Sequence, residues 1–261
     1  QPAPDTCPDC GGAMKHIGFG TQKVEEELTR LFPGTELLRM DADTVGEGHE
    51  KLLREFQRRR IPILLGTQMV AKGLDFAGVT LVGVLAADLS LYVDHYRAAE
   101  RTFSLLTQVV GRAGRGDCEG RALIQTLTPN NAIIQLAAKQ DYDSFYELEI
   151  GLRRVQDLPP FGDQILVAFQ GEQEQQVLLG AMKFRDSLLE LQRSWALGPL
   201  TVLGPAPSPV PKVNYRYRYR LTVLGKMTKE LRSGLSYLLR SFGKDSKMRG
   251  VTAFIDVNGF E

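Results

Sequence analysis

No apolar run in this 261-residue sequence approaches the roughly 18 residues that a membrane-spanning helix needs. No charged and then apolar leader opens it either, and the expectation that follows is a cytoplasmic protein with no membrane role. Cysteine is scarce: there are three, and Cys118 stands alone, which is too few for a disulfide framework. Also missing are a G-x-x-x-x-G-K-[ST] loop and a D-E-x-H box, so none of the 26 glycines builds a phosphate cradle of the P-loop kind. Net charge is nearly absent, with 32 Lys+Arg against 31 Asp+Glu, but the balance is uneven along the chain. Residues 159–261 carry 14 basic and 9 acidic residues, and 211–250 carry 11 against 2, which points to an anionic partner for the C-terminal part.

What is present fits a globular protein. The composition is 43% hydrophobic and 24% charged, and the length suffices for one large or two ordinary domains with cores of their own. Thr21 is a candidate helix N-cap, followed by Glu25, Glu26 and Glu27, with Val24, Leu28 and Leu31 as an apolar stripe that Pro33-Gly34 terminates. A short strand over 36–40 exits through Asp41 and Asp43, a pair that either caps the next turn or holds a metal. A helix over 49–60 turns Leu52, Leu53 and Phe56 inward. The continuous apolar runs 61–65 and 79–86 read as parallel strands buried on both faces, and 121–126 as a further strand. Helices over 131–138 and 144–155 follow. Strands alternating with helices define an α/β domain whose active groups lie at the carboxyl ends of its strands.

The most informative stretch of that domain is Gln108-Val109-Val110-Gly111-Arg112-Ala113-Gly114-Arg115. Residues 101–110 have helical spacing, with Phe103, Leu106, Val109 and Val110 on one face, so Arg112 and Arg115 project from its last turn or the turn beyond. Two guanidiniums three residues apart suit phosphate oxygens, and they also suit the negative end of a helix dipole. The stretch resembles the sixth motif of superfamily 2 helicases, and Gly66-Thr67-Gln68-Met69-Val70-Ala71-Lys72-Gly73-Leu74-Asp75-Phe76 resembles the fifth. Together with Arg97-Ala98-Ala99-Glu100-Arg101-Thr102-Phe103, these residues are similar to the PriA family of bacterial primosomal replication-restart helicases. Leu74, Asp94 and His95 depart from the family pattern and receive no role.

Near the N-terminus, Cys7-Pro8-Asp9-Cys10-Gly11-Gly12 has the form of half a zinc knuckle, and zinc needs four ligands. His16 is the only nearby candidate for a third. The family resemblance, carried further by Gly18-Phe19-Gly20-Thr21 and Val24-Glu25-Glu26-Glu27-Leu28, implies that these cysteines end a two-zinc insertion whose other ligands lie upstream.

Leu158-Pro159-Pro160-Phe161-Gly162 marks a domain boundary. Beyond it the pattern reads as strand 164–170, helix 172–194, strand 200–204, strand 215–224, helix 228–242 and strand 251–257. That βαββαβ order is ferredoxin-like. In Tyr215-Arg216-Tyr217-Arg218-Tyr219-Arg220 the strand period puts Tyr215, Tyr217, Tyr219, Leu221 and Val223 on one face and Arg216, Arg218 and Arg220 on the other. Leu221 and Val223 draw the tyrosines toward the core, with a base-stacking platform as the alternative. The arginines, with Lys212 and Lys226 nearby, face solvent as a phosphate-binding row or as a solvated edge against aggregation.

The resemblance implies three parts: residues 1–17 as the tail of the zinc-binding insertion, 18–157 as the second RecA-like helicase lobe, and 158–261 as a smaller ferredoxin-like α+β DNA-binding domain. It implies an ATP-dependent 3′–5′ DNA helicase that remodels stalled forks and initiates primosome assembly. Arg112, Arg115 and Gln108 would act on the γ-phosphate. Gly73, Asp75 and Gly111 would line an ATP-Mg²⁺ site completed by a first lobe, and Thr67 and Gln68 would hold DNA. Single-stranded-DNA-binding protein and primosome proteins are the implied partners of a monomer. Two rivals remain open: a non-catalytic module made of the zinc knuckle and the basic domain, and a superfamily 2 translocase acting on RNA or duplex DNA.

Overall fold

The computed structural model describes residues 20–41, 48–67, 79–111 and 120–259. The chain divides into two compact units between Tyr146 and Glu147.

The first unit opens with helix α1 (Thr21–Leu31) and strand β1 (Leu37–Met40). Gly20, not Thr21, is the N-cap of α1. The Thr21 hydroxyl instead donates to Asp41 Oδ2 at 2.5 Å, and the same oxygen lies 3.1 Å from Arg39 Nε. Asp41 is therefore engaged as the polar exit of β1, and Asp43 lies outside the described residues. Helix α2 (His49–Arg59) sends Leu52 and Leu53 against Met40, and its C-cap Arg60 takes the left-handed conformation. Strand β2 (Ile63–Gly66) pairs with β1 in parallel, Leu37 opposite Ile63 through Met40 opposite Gly66.

A second parallel pair joins β3 (Leu81–Val84) to β4 (Arg121–Ile124). Between them in sequence run the short helix α3 (Asp88–Leu91) and α4 (Ala98–Val110); α5 (Ala132–Lys139) and α6 (Tyr142–Val155) follow β4. Phe103 and Leu106 of α4 pack with Ile133, Ile134 and Ala137 of α5 and with Phe145, whose ring stacks on Phe103 at 4.0 Å. The expectation of strands buried on both faces is corrected here. Leu81, Leu85, Leu123 and Leu127 are exposed, because α4 and α5 pack on one side of the pair and no described element covers the other.

After α6 the chain turns through Leu158–Gly162. Gly162 is required there, since a Cβ would stand 2.3 Å from the Asp157 carbonyl oxygen. The second unit then follows the order β5 (Asp163–Gly171), α7 (Glu174–Trp195), β6 (Thr201–Val213), β7 (Arg216–Gly225), α8 (Lys229–Lys244) and β8 (Thr252–Val257), with a 3₁₀ turn at Ser246–Met248. The sheet order is β6-β7-β5-β8, antiparallel at each contact, which is the ferredoxin-like arrangement. Ile165, Val167, Phe169, Leu221 and Val223 meet Val177, Ala181, Phe184 and Leu188 of α7 and Leu231, Leu235 and Phe242 of α8. Burial of each such side chain contributes about 1.5–3 kcal/mol. Thr228 caps α8 by accepting from the Leu231 amide.

Strand β6 runs nine residues past the expected end at Gly204. The extension carries Pro205, Pro207, Pro209 and Pro211, a proline at every second position. Such a run fits only an edge strand, where alternate amide positions face away from the ladder.

Candidate nucleotide and nucleic-acid sites

In the first unit the parallel register brings the exits of β1 and β2 to one end. Asp41, buried and ion-paired, stands at one exit and exposed Thr67 at the other. Helix α4 presents its C-terminus as a second polar end. Its buried face, Phe103, Leu106 and Val109, fixes the rotation that leaves Gln108 on the solvent side, where Nε2 donates to Ser104 Oγ at 3.2 Å. Gly111 is the C-cap, its amide bonding the Thr107 carbonyl at 2.9 Å. A Cβ at Gly111 would sit 3.2 Å from that same oxygen, so the chain leaves the helix through a crowded point. Arg112 follows directly. Arg112, Arg115, Gln68, Gly73 and Asp75 lie outside the described residues, as do Cys7, Cys10 and His16.

The exits of β3 and β4 are joined by a group that the sequence reading passed over. Asp88 is buried and accepts from Thr126 Oγ1 at 2.8 Å, Thr128 Oγ1 at 2.6 Å and the Leu127 amide at 2.8 Å. Burial pushes its carboxyl up, but the bonds from Thr128, Leu127 and Thr126 together outweigh that and hold the pKa at about 2. The signal was legible as an aspartate just after one strand and a T-x-T just after its neighbour.

In the second unit the alternation holds where β7 is paired on both sides and fails at its start. Tyr219 lies against the core and donates to Glu174 Oε1 at 3.0 Å; burial first, and then this bond, push its phenol pKa up. Tyr217 is only half-buried, with Lys212 Nζ 4.3 Å above its ring and donating to its hydroxyl at 3.2 Å. Tyr215 is not on the strand at all. Asn214 and Tyr215 form a two-residue turn closed by the Val213–Arg216 pair, and the Tyr215 ring is 86% exposed.

Lys212 pairs with Tyr217 and so belongs to the tyrosine side, not beside the arginine row as expected. Arg216, Arg218 and Arg220 share the opposite face and are half-buried there, flanked by strand neighbours instead of standing fully in water. Across the sheet, Arg220 aligns with Ala168 and Phe254, and Arg218 with Gln170 and Thr252. The result is a basic open face on the side of the sheet away from α7 and α8. Among the described residues no group of three or more side chains is placed to bind a metal, and no helix is long and apolar enough to cross a membrane.

A helix ending in Gln108 and Gly111 immediately before an R-x-x-R, and a ferredoxin-like domain with a basic sheet face, occur here in one chain. Residues 17–117 match the helicase conserved C-terminal domain, and residues 154–259 match the primosomal protein N C-terminal domain. The chain belongs to the PriA family. It is 42% identical over 265 residues to the replication restart protein PriA of Bacillus subtilis, a match covering all of this chain and 32% of that protein. The replication restart protein PriA of a Synechocystis species is 42% identical over 207 residues, covering 78% of this chain and 24% of the relative. That of Borreliella burgdorferi is 31% identical over 243 residues, covering 93% and 34%. The chain thus spans about a third or less of the length of these relatives, the part that holds the RecA-like helicase domain and the antiparallel C-terminal domain of PriA proteins.

Proposed function

We propose that this chain is the second motor lobe and the DNA-binding C-terminal domain of an ATP-dependent 3′–5′ DNA helicase that remodels stalled replication forks and initiates primosome assembly. The observation that carries the reading is the end of α4. A buried stripe fixes the helix, Gln108 faces solvent in its last turn, and Gly111 releases the chain straight into Arg112. In this reading Arg112 and Arg115 contact the γ-phosphate of ATP with Gln108 beside them, and Gly73 and Asp75 face the ribose and phosphates. The paired guanidiniums neutralise charge that spreads over the phosphoryl oxygens during transfer. Loss of the γ-phosphate releases that clamp, and Thr67 and Gln68 shift their hold along the DNA strand.

A first lobe would complete the ATP-Mg²⁺ site, and Cys7 and Cys10 would supply two of four thiolate or imidazole ligands to zinc. Zinc there would act structurally, cross-linking the segment that carries it. The reading places the protein in the cytoplasm, with single-stranded-DNA-binding protein and other primosome proteins as partners. Its test is direct: the purified 261-residue chain should bind single-stranded DNA yet turn over no ATP, because one lobe cannot enclose the phosphates. Turnover by the chain alone, or failure to bind DNA, would count against it.

A further inference from the structure

The hairpin between β6 and β7 closes on Asn214 and Tyr215, both with positive φ (49° and 63°). Two consecutive positive values make a type I′ turn, which favours Asn at the first position and Gly at the second. Asn214 fits; Tyr215 does not, since an aromatic side chain in the left-handed region carries a steric cost that glycine avoids. That cost is not offset by packing. At 86% exposure the Tyr215 ring is the most exposed large apolar side chain among the described residues. A strained residue that buries nothing is a sign of use elsewhere.

The surroundings say what kind of use. Tyr217 pairs with Gly171, the last residue of β5, so residues 214–216 lie past the end of the central strand. Lys212 sits on one side of the hairpin, held over the Tyr217 ring, and Arg216 starts β7 on the other. An exposed ring at a tip, with a cation on each side, suits an unpaired base stacked on the ring while its flanking phosphates meet the cations. A protein partner would call for apolar surface around the ring, and the residues nearest it in the hairpin are Lys212, Val213, Asn214 and Arg216, three of them polar or charged.

We infer that Tyr215 is a base-stacking contact for unpaired DNA, and that Lys212 and Arg216 hold the phosphates on either side of it. The inference rests on the reading of this domain as DNA-binding and adds a specific contact at the hairpin tip, where Arg216 belongs both to the tip and to the arginine row on the sheet face.

The test uses Tyr215→Gly in the 261-residue chain, a change that removes the ring while giving the turn its favoured Asn-Gly sequence. Binding is measured by fluorescence anisotropy with a labelled oligo(dT) strand and with a blunt duplex. The expected result is an unchanged or higher melting temperature, about tenfold weaker oligo(dT) binding, the scale of one lost stack, and little change for the duplex. Tyr215→Phe should bind like the parent, and the salt slope of Tyr215→Gly should match it because no charge is lost. Parental affinity in Tyr215→Gly, or equal loss in Tyr215→Phe, would overturn the inference. If Tyr215→Gly binds normally while substitution of Arg218 and Arg220 abolishes binding, only the tip contact fails; if neither change matters, the DNA-binding reading fails with it.

Discussion

Asp88 is 2% exposed, and all three donors that satisfy it come from the stretch just after β4. A carboxylate held at about pKa 2 in the folded chain titrates near 3.9 when unfolded, so it stabilises the fold at neutral pH by roughly 2–3 kcal/mol. The sign follows from the depressed value: the contribution is complete above about pH 5 and is lost as pH falls through the unfolded value toward 2. Asp88→Asn should therefore lower stability at pH 7, with the difference from the parent shrinking between pH 5 and pH 2. Urea melts across that range check it, and a pH-independent difference would mean that the carboxylate charge is not what joins the two strand exits. Sequence inspection did not raise this residue because its partners lie 38 to 40 positions away. Thr21 was misread for a related reason: its hydroxyl has a long-range partner in Asp41, which outweighs the local N-cap role.

Among the elements, helices with a strong apolar stripe were legible to within a few residues. The buried face of α4 follows from spacing alone, and the expected starts of α5 and α8 at 131 and 228 lie one residue before the observed helices, at what prove to be their caps Asn131 and Thr228. The β6–β7 hairpin was not, because its prolines read as a loop until their alternation is matched to an edge strand, and because Asn214-Tyr215 lacks the glycine that signals a type I′ turn. The period-two argument survives for Tyr219, Leu221 and Val223, where β5 and β6 pin β7 from both sides.

A division of labour follows along β7. Tyr219→Ala should destabilise the domain by about 3 kcal/mol, and Tyr217→Ala by about 1 kcal/mol, the scale of its contact with Lys212. Changing Arg216, Arg218 and Arg220 together to Gln should leave the melting temperature nearly constant. It should reduce the slope of log K against log salt for single-stranded DNA by up to about 2, at about 0.7 per phosphate contact. Thermal melts and salt titrations separate the two; an unchanged slope would make the arginine row a solvated edge.

At the scale of the whole molecule, the two architectures were readable from the order of their elements. An alternating α/β part precedes a βαββαβ part, and each is built as that order requires. The exposed leucines of β3 and β4 were not readable, since a continuous apolar run looks the same whether one face or both are covered. The nucleotide site is legible only as far as its supports. Of the residues proposed for it, Gln108 is exposed in the last turn of α4 and Gly111 is its C-cap, while Arg112 and Arg115 lie outside the described residues. The proposed function assigns a motor lobe and a DNA-binding domain to one chain. The most direct measurement is DNA-stimulated ATP turnover by the full-length protein carrying Arg112→Ala or Arg115→Ala. The account predicts a kcat lowered by roughly 10³-fold in each, with DNA affinity little changed; near-normal turnover in both variants would contradict it.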